Sequence, residues 1–436
     1  MNLRHAAERI VRKLQDAGHT ALFAGGCVRD MLMNVEPADY DIATAAAPEV
    51  IRELFPRTVP VGEHFGVILV LEGGHRFEVA TFRTDGPYSD GRHPDTVSFT
   101  DVEGDVRRRD FTINGMMYDP TRDEVIDLVG GREDLAAAVV RAIGEPHTRF
   151  QEDKLRLMRA VRFAARLGFT IEPETRRALV ELAREITSVS AERVAAELRI
   201  MLTDASRADA VRRLDAVGLL EHVLPEIAAM KGVEQSGEWH PEGDVFEHTL
   251  RCLEQTGDVA WEFVLAVLLH DVGKPVTAEG GAFHAHEHEG AALASHICRR
   301  LRESNRVREK VVWLVKHHMR FRDAKKMKQI TLRRLLSEPW FEELAELHRI
   351  DAEASAGDFA DYDFVMAEYR KFREEPPPVE PLVNGRDLID RGLEPGPVFS
   401  EILDELRDAQ LEGTLTNRDD ALAFLEDVLR RRGITE

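Results

Sequence analysis

Residues 24–44, AGGCVRDMLMNVEPADYDIAT, bring together three residue types that chemistry can use. Gly25 and Gly26 carry no Cβ, so the backbone there can approach a phosphate chain closely. The stretch 27–34 reads as a short helix whose N-terminal N–H groups would face that phosphate. Asp39, Tyr40 and Asp41 then enter a strand-like run. Side chains two apart on a strand share a face, so the two carboxylates converge. Converging carboxylates repel unless a cation sits between them, and hard oxygen ligands suit Mg²⁺. A phosphate cradle beside a Mg²⁺-binding carboxylate pair is the apparatus of phosphoryl or nucleotidyl transfer. Glu78, at the same parity as Ala80 and Phe82 on a predicted strand over 76–83, is a candidate third carboxylate for that metal, and reads equally well as an edge-strand acid.

RRRDFTIN, residues 107–114, places three arginines before an acid. Guanidinium forks bind phosphate bidentately, so Arg109 is a candidate for holding a triphosphate. Asp110 and Asn114 could hold a ribose hydroxyl or the loop itself. Further on, QEDKLRLMRAVRFAARLGF (151–169) predicts a helix over 152–167 in which Asp153 and Arg156 are neighbours on one face, with Arg159 and Arg162 following. Ionised Asp only accepts hydrogen bonds and Arg only donates. Cytosine and adenine both offer an exocyclic amine beside a ring-nitrogen acceptor. Uracil and guanine put a carbonyl where the amine would be. An Asp153/Arg156 pair could thus admit CTP and ATP and refuse UTP and GTP without a template. A plain surface ion pair of the same spacing would look identical in sequence.

A second cluster is rich in imidazoles. Glu247-His248-Thr249 precedes LLHDVGK (268–274), which contains His270-Asp271. His284, His286 and His288 follow, then His317-His318, then Asp351. Imidazoles and carboxylates at the ends of facing helices suit a divalent transition metal.

GGxVRD followed by DYDIAT resembles the active-site signature of the nucleotidyltransferase superfamily, in the form carried by class II tRNA nucleotidyltransferases (CCA-adding enzymes) and bacterial poly(A) polymerases. The resemblance implies that Asp39 and Asp41 are catalytic Mg²⁺ ligands and that Gly26, Arg29 and Arg109 bind nucleotide phosphate. The EDxxR element at 152–156 implies nucleotide-binding roles for Asp153, Arg156, Arg159 and Arg162. AERVAAEL (191–198) resembles the segment that closes the neck domain, and 381–422 resembles the family's tail helices. The family usually has Ala where this chain has Gly115. The histidine set resembles the HD phosphohydrolase superfamily. His248, His270, Asp271 and Asp351 match its core ligand pattern, and His286 with His317 or His318 could complete a second metal site. Some tRNA nucleotidyltransferases carry such a domain with phosphatase or 2′,3′-cyclic phosphodiesterase activity. The expected function is two-metal, template-independent addition of CCA to a tRNA 3′ end from CTP and ATP. Near rivals are a poly(A) polymerase and an A-only or CC-only enzyme. A rival of another class is an HD phosphohydrolase with an RNA-binding N-terminal half, disfavoured by the intact Asp39, Asp41 and Arg109.

These residues need a scaffold of several domains, as 436 residues exceed what one core organises. Residues 1–140 alternate helix and strand patterns, with a hairpin around Glu72-Gly73-Gly74-His75 and Thr44 as N-cap of a helix over 48–55. Residues 83–101 read as a mobile loop that would flex as selection switches from C to A. Strand signals nearly vanish after 142. The expected architecture is an elongated, multidomain chain: an α/β nucleotidyltransferase head with a small mixed sheet (1–140), then all-α neck and body (141–235), HD domain (236–373), and linker and tail (374–436). No apolar run reaches the roughly 18 residues of a membrane span, and the N-terminus lacks a signal-peptide core. Three widely spaced cysteines point to no disulfide framework and to the cytoplasm. The net charge of −21 argues against RNA binding only if charge is uniform. Residues 299–334 hold 14 Lys/Arg against 3 acids, and 141–166 hold 7 against 3.

Overall fold

The computed structural model describes residues 1–60, 66–86, 96–235, 243–279, 282–374 and 380–434. The stretch 87–95 of the expected loop and 375–379 of the expected linker lie outside them. The chain divides into two units, residues 1–229 with 300–302, and 230–299 with 303–436.

The first unit opens with α1 (Leu3–Asp16), which the Asn2 side chain caps by accepting from His5 N. Its apolar face, Ala6, Ala7, Ile10, Val11 and Leu14, is fully buried. Then come β1 (Ala21–Ala24), α2 (Gly26–Leu32), β2 (Asp41–Thr44), α3 (Pro48–Leu54) and β3 (Thr58–Pro60). Thr44 is not the cap of α3; Ala47 holds that position, and the Thr44 hydroxyl instead donates to Thr20 O and accepts from Ala46 N. β4 (Val67–Glu72) and β5 (His75–Thr81) form the expected hairpin. Its two-residue turn, Gly73-Gly74, has φ of 59° and 88°, which matches the twist of the flanking strands. The stretch read as a loop has structured ends: β6 (Arg83–Asp85) pairs antiparallel with β7 (Val97–Phe99). After α4 (Val102–Arg107) come β8 (Met117–Asp119), β9 (Glu124–Ile126), α5 (Gly131–Ala136) and β10 (Val139–Val140).

Among the described residues, the main sheet has seven strands in the order β3-β4-β5-β2-β1-β8-β9. It is mixed, because β2 runs parallel to β5 while the other pairs are antiparallel. β1 and β2 are central, so the segments at their ends, Gly25-Gly26 and Asp39 to Asp41, come together. Phe23 braces this centre, buried with its ring 5.0 Å from Tyr40 and 6.1 Å from Tyr118.

The remainder is mostly helical. α6 (Pro146–Glu152) and α7 (Arg156–Leu167) are separate helices where the sequence predicts one over 152–167. Asp153 breaks them apart in an extended conformation, φ −143° and ψ 104°, and its side chain accepts from Leu155 N. Asp competes for nearby backbone N–H groups in this way, which disfavours a helix interior. β11 (Thr170–Ile171), α8 (Pro173–Leu182), α9 (Ala191–Thr203), α10 (Arg207–Ala216), α11 (Leu220–Val223) and α12 (Pro225–Ala228) come next, with α9 and α10 packed on α7.

The second unit comprises α13 (Val245–Gln255), α14 (Trp261–Leu269), α15 (Lys274–Thr277), the short pair β12 (Ala278–Glu279) and β13 (Ala282–Phe283), α16 (His286–Arg300) and α17 (Asn305–His317). A 3₁₀ segment (His318–Lys326), α18 (Gln329–Leu336), α19 (Phe341–Ala354) and α20 (Ala360–Glu374) complete this part. α14 is apolar and buried except at Glu262, with α13 and α17 against it and α19 against α13. α21 (Gly385–Ile389), α22 (Pro397–Leu411) and α23 (Arg418–Arg431) close over a small core of their own around Leu388, Ile402 and Leu425.

Removing the Phe23 ring leaves a cavity behind the carboxylate-bearing strand. Phe23→Ala is expected to cost about 3–5 kcal/mol of stability, read by urea denaturation of the full chain. An unchanged midpoint would show that the ring does not brace the sheet.

Candidate functional site

In the first unit one cavity of 580 Å³ collects Gly25, Gly26, Arg29, Asp39, Asp41, Arg109, Asp153, Arg156, Arg159 and Arg162. Gly25 adopts φ 78°, and a Cβ on it would lie 3.2 Å from Arg109 Nη1. The turn therefore needs glycine both for its conformation and for the room it leaves the guanidinium. Asp41 begins β2, and Asp39 lies two residues before the strand rather than within it. Buried Tyr40 between them anchors the segment. Asp41 is accessible from the cavity yet crowded by protein, and its carboxyl is pushed up to about 6. Burial is the main cause, then the Asp39 charge, then Glu78, with Arg109 opposing. Glu78 is exposed on β5 and is not among the cavity-lining residues, so it reaches the pair only through its field. A carboxylate resisting ionisation beside a second one is the arrangement a cation relieves.

Acids hold the arginines of the cavity in place. Asp105 is buried and takes Arg108 on one oxygen, at 2.9 and 2.7 Å, and Arg109 on the other, at 3.2 and 2.9 Å. Burial alone would raise its carboxyl; the charges of Arg109 and Arg108 bring it below the ordinary value. Asp110 receives Arg159 at 2.9 and 2.5 Å, Asn114 Nδ2 at 3.2 Å and Phe111 N at 2.8 Å. Against its burial, Arg159 holds Asp110 at about 2. Arg29 is buried, with Nη2 2.6 Å from Asp30 and Nη1 donating to Asn114 Oδ1 at 2.7 Å. Arg162 donates to Glu197 at 2.7 Å and lies over the Phe163 ring at 4.4 Å.

Asp153 and Arg156 face the same cavity but are not partners on one helix face. Asp153 accepts from Arg193 of α9 at 2.8 and 3.0 Å. Arg156 donates to Glu152 at 2.6 Å and to the carbonyls of Arg149 and Arg108 at 2.9 and 3.1 Å. The break between α6 and α7 gives each its own anchor. Sequence reasoning missed Asp105, Arg193 and Glu197. The i, i+3 and i+4 spacing of Asp105, Arg108 and Arg109 was a legible signal; the other two depend on helix packing. Cys27, beside Asp41, has its thiol pushed up to about 12 by burial. At Gly115 a Cβ would lie 2.8 Å from Val129 and 2.9 Å from Ile143, so the packing here suits glycine.

The second unit brings His248, His270, Asp271, His286, His318 and Asp351 together. Two sets are close enough to hold an ion: His248, Cys252, His270 and Asp351, and Asp271, His286 and His318. Asp271 lies between the sets, one oxygen 3.3 Å from His270 Nε2 and 3.8 Å from His248 Nε2. Its other oxygen is 3.4 Å from His286 Nε2 and 3.7 Å from His318 Nε2. The Nδ1 groups of His270, His286 and His318 donate to the carbonyls of Val267, Phe283 and Val315 at 2.7, 2.9 and 2.7 Å. Those bonds aim each Nε2 inward. His270 Nε2 is buried with no hydrogen-bond partner among the described residues. A converging set of oriented imidazoles and carboxylates with such an orphan nitrogen fits a divalent metal. Of the adjacent pair, His318 belongs to the set; His317 stacks on Trp313 at 4.5 Å and bonds its carbonyl. His284 and His288 are outside both sets. An adjoining cavity of 530 Å³ is lined by Lys274, Arg322, His348 and Asp361, among others.

The elevated Asp41 carboxyl has a consequence for stability. In the metal-free protein its ionised form is disfavoured, so it costs stability above pH about 6 and none below its ordinary value of 3.8. Asp41→Asn in chelator is expected to raise Tm at pH 8, with the gain shrinking as pH falls through 6. A gain that is constant with pH would refute the assignment.

Residues 21–141 match the poly(A) polymerase head domain, 168–231 the probable RNA- and SrmB-binding site of polymerase A, and 245–362 the HD domain. A CCA-adding enzyme of Geobacillus thermodenitrificans is 40% identical over 231 residues, 53% of this chain and 55% of that protein. One from Enterococcus faecalis is 46% identical over 202 residues, 46% of this chain and 50% of that protein. The chain thus spans about half the length of the curated relatives it matches. The crystal structure of the Bacillus stearothermophilus CCA-adding enzyme in complex with CTP is similar at a TM-score of 0.75 and 29% identity, covering 99% of both chains. No described helix is long and apolar enough to cross a membrane. In order along its length the chain thus resembles a poly(A) polymerase head domain, a polymerase A RNA-binding segment and an HD domain.

Proposed function

We propose that this chain is a template-independent nucleotidyltransferase that builds CCA on a tRNA 3′ end from CTP and ATP. The observation that carries the reading is the single cavity in which the Asp39/Asp41 pair, the Gly25-Gly26 turn and the Asp153/Arg156 readers all meet. Asp39 and Asp41 hold Mg²⁺. Bound there, the ion supplies Lewis acidity toward the primer 3′-hydroxyl and the triphosphate. Gly25 and Gly26 let the phosphates approach the backbone, and Arg29 and Arg109 bind them. Asp105 keeps Arg108 and Arg109 extended toward the cavity before nucleotide arrives, so little ordering remains to be done on binding.

Asp153 and Arg156 read the base. Asp153 has acceptor capacity beyond its bonds from Arg193 and Leu155 N, and it can take the amine of cytosine or adenine. A uracil or guanine carbonyl facing the same carboxylate would leave two acceptors opposed with no proton between them. Arg159 and Arg162 complete the nucleotide contacts from α7. We read residues 1–140 as the catalytic head, 141–235 as the neck and body, 236–373 as the HD domain and 374–436 as linker and tail, in a cytoplasmic protein.

The HD residues form a second centre for a divalent transition metal, with phosphohydrolase activity toward a phosphate-bearing substrate. His248, His270, Asp271 and Asp351 would hold the metal, with His286 and His318 beside Asp271 for a second ion, and it would supply an activated water. Lys274 and Arg322 in the adjoining cavity favour an anionic substrate.

The test is primer extension by the purified chain with Mg²⁺, on tRNA transcripts ending before CCA, after C and after CC, and on an unstructured oligonucleotide. CCA on the first transcript, with UTP and GTP refused, is the expected result. A only on the CC-ending transcript would mean an A-adding enzyme, and long A tails on any RNA a poly(A) polymerase. No incorporation at all would sink the transferase reading. Asp39→Ala or Asp41→Ala should lower the rate at least about 100-fold. Asp153→Asn, whose amide can donate to a carbonyl, should raise UTP use relative to CTP about 10- to 100-fold.

A further inference from the structure

Four residues form one of the two ion-holding sets of the second unit, and one of them is a cysteine. Cys252 lies one helical turn after His248 on α13, fully buried, with Sγ 3.5 Å from His248 Nε2. Asp351 Oδ1 lies 3.1 Å from the same nitrogen. Metal–nitrogen bonds of about 2.0–2.1 Å and metal–sulfur bonds of about 2.3 Å at a tetrahedral angle put the two ligand atoms roughly 3.5 Å apart. The separation on α13 is therefore that of one edge of a tetrahedron around a metal. His270 Nε2, the buried nitrogen without a hydrogen-bond partner, belongs to the same set.

We infer that Cys252 supplies a thiolate ligand to the metal held by His248, His270 and Asp351. The centre is then a sulfur-containing one, selective for thiophilic divalent ions of the zinc and cobalt type over Mg²⁺. The inference rests on the reading that this cluster holds a metal. As the ion binds, the S–H bond breaks, its proton leaves to solvent and the sulfur electron pair forms the metal bond. The set of Asp271, His286 and His318 contains only nitrogen and oxygen donors, so the two halves of the cluster differ in chemical softness.

Titration of the metal-stripped full chain with Co²⁺, followed by absorption, separates the possibilities. The expected result is intensified visible bands together with a near-ultraviolet sulfur-to-cobalt charge-transfer band that excess Mg²⁺ does not remove. In Cys252→Ser, Co²⁺ should still bind with visible bands while the near-ultraviolet band is lost. Co²⁺ binding without that band in the natural protein, displacement of the band by Mg²⁺, or its survival in Cys252→Ser would each overturn the inference. Failure to bind Co²⁺ at all would overturn the metal reading itself. The chain has 3 cysteines, so the double variant Cys27→Ser/Cys298→Ser decides the matter even if Cys252→Ser does not fold. A retained band assigns it to Cys252, and a lost band refutes it.

Discussion

Confining many guanidinium groups around one cavity is possible only because buried acids hold them apart. Asp105 takes two, Asp110 takes Arg159, Glu197 bonds Arg162 and lies 3.9 Å from Arg159, and Asp153 takes Arg193 from a neighbouring helix. Each pair neutralises a charge that would otherwise repel its neighbours, and each fixes the direction in which the remaining N–H groups point. Breaking such a pair leaves a buried charge uncompensated, which costs far more than the pair itself contributes to stability. The arrangement also ties elements together. Asp110 follows β1 and β2 in sequence, Arg159 and Arg162 stand on α7, and Glu197 on α9. The floor of the cavity and the helices α7 and α9 beside it therefore share one electrostatic network.

The second unit uses a different device. Its imidazoles are oriented by backbone carbonyls at the ends of helices, and the inward nitrogens surround Asp271. Where the first cavity presents carboxylates and guanidiniums open to solvent, this cluster is buried and nitrogen-rich. Hard oxygen donors with accessible surroundings suit an ion that keeps its waters; oriented imidazoles suit a transition ion. The basic tract of 299–334 has less free charge than its composition suggests. Arg306 and Lys310 lie near Glu262, Lys310 also bonds Glu343, and Lys325 and Arg334 pair with Asp361 and Asp408.

Much of this was legible because it is local. A Gly-Gly hairpin turn, an apolar face on α1, alternation at Asp39-Tyr40-Asp41 and the order of the histidines are all encoded in spacing of a few residues. The misreadings also have identifiable causes. Apolar periodicity runs straight through 152–167, yet the Asp153 carboxylate captures a backbone N–H and interrupts the helix. Thr44 has the composition of a cap, but its hydroxyl bonds the adjoining strand segment. Residues 83–101 read as a loop by composition, although short strands pair at its ends.

Near-neighbour periodicity in the chain was enough to specify the residue types of both centres, the alternation of helix and strand over residues 1–140, and the helical character of the C-terminal two thirds. Which charges meet was a matter of packing. The folded chain sets Arg193 rather than Arg156 against Asp153, uses His318 in place of His317, and draws Asp105 and Cys252 into the two centres. Those choices depend on how helices distant in sequence, or successive turns of one helix, pack against a shared core, and no local pattern encodes them.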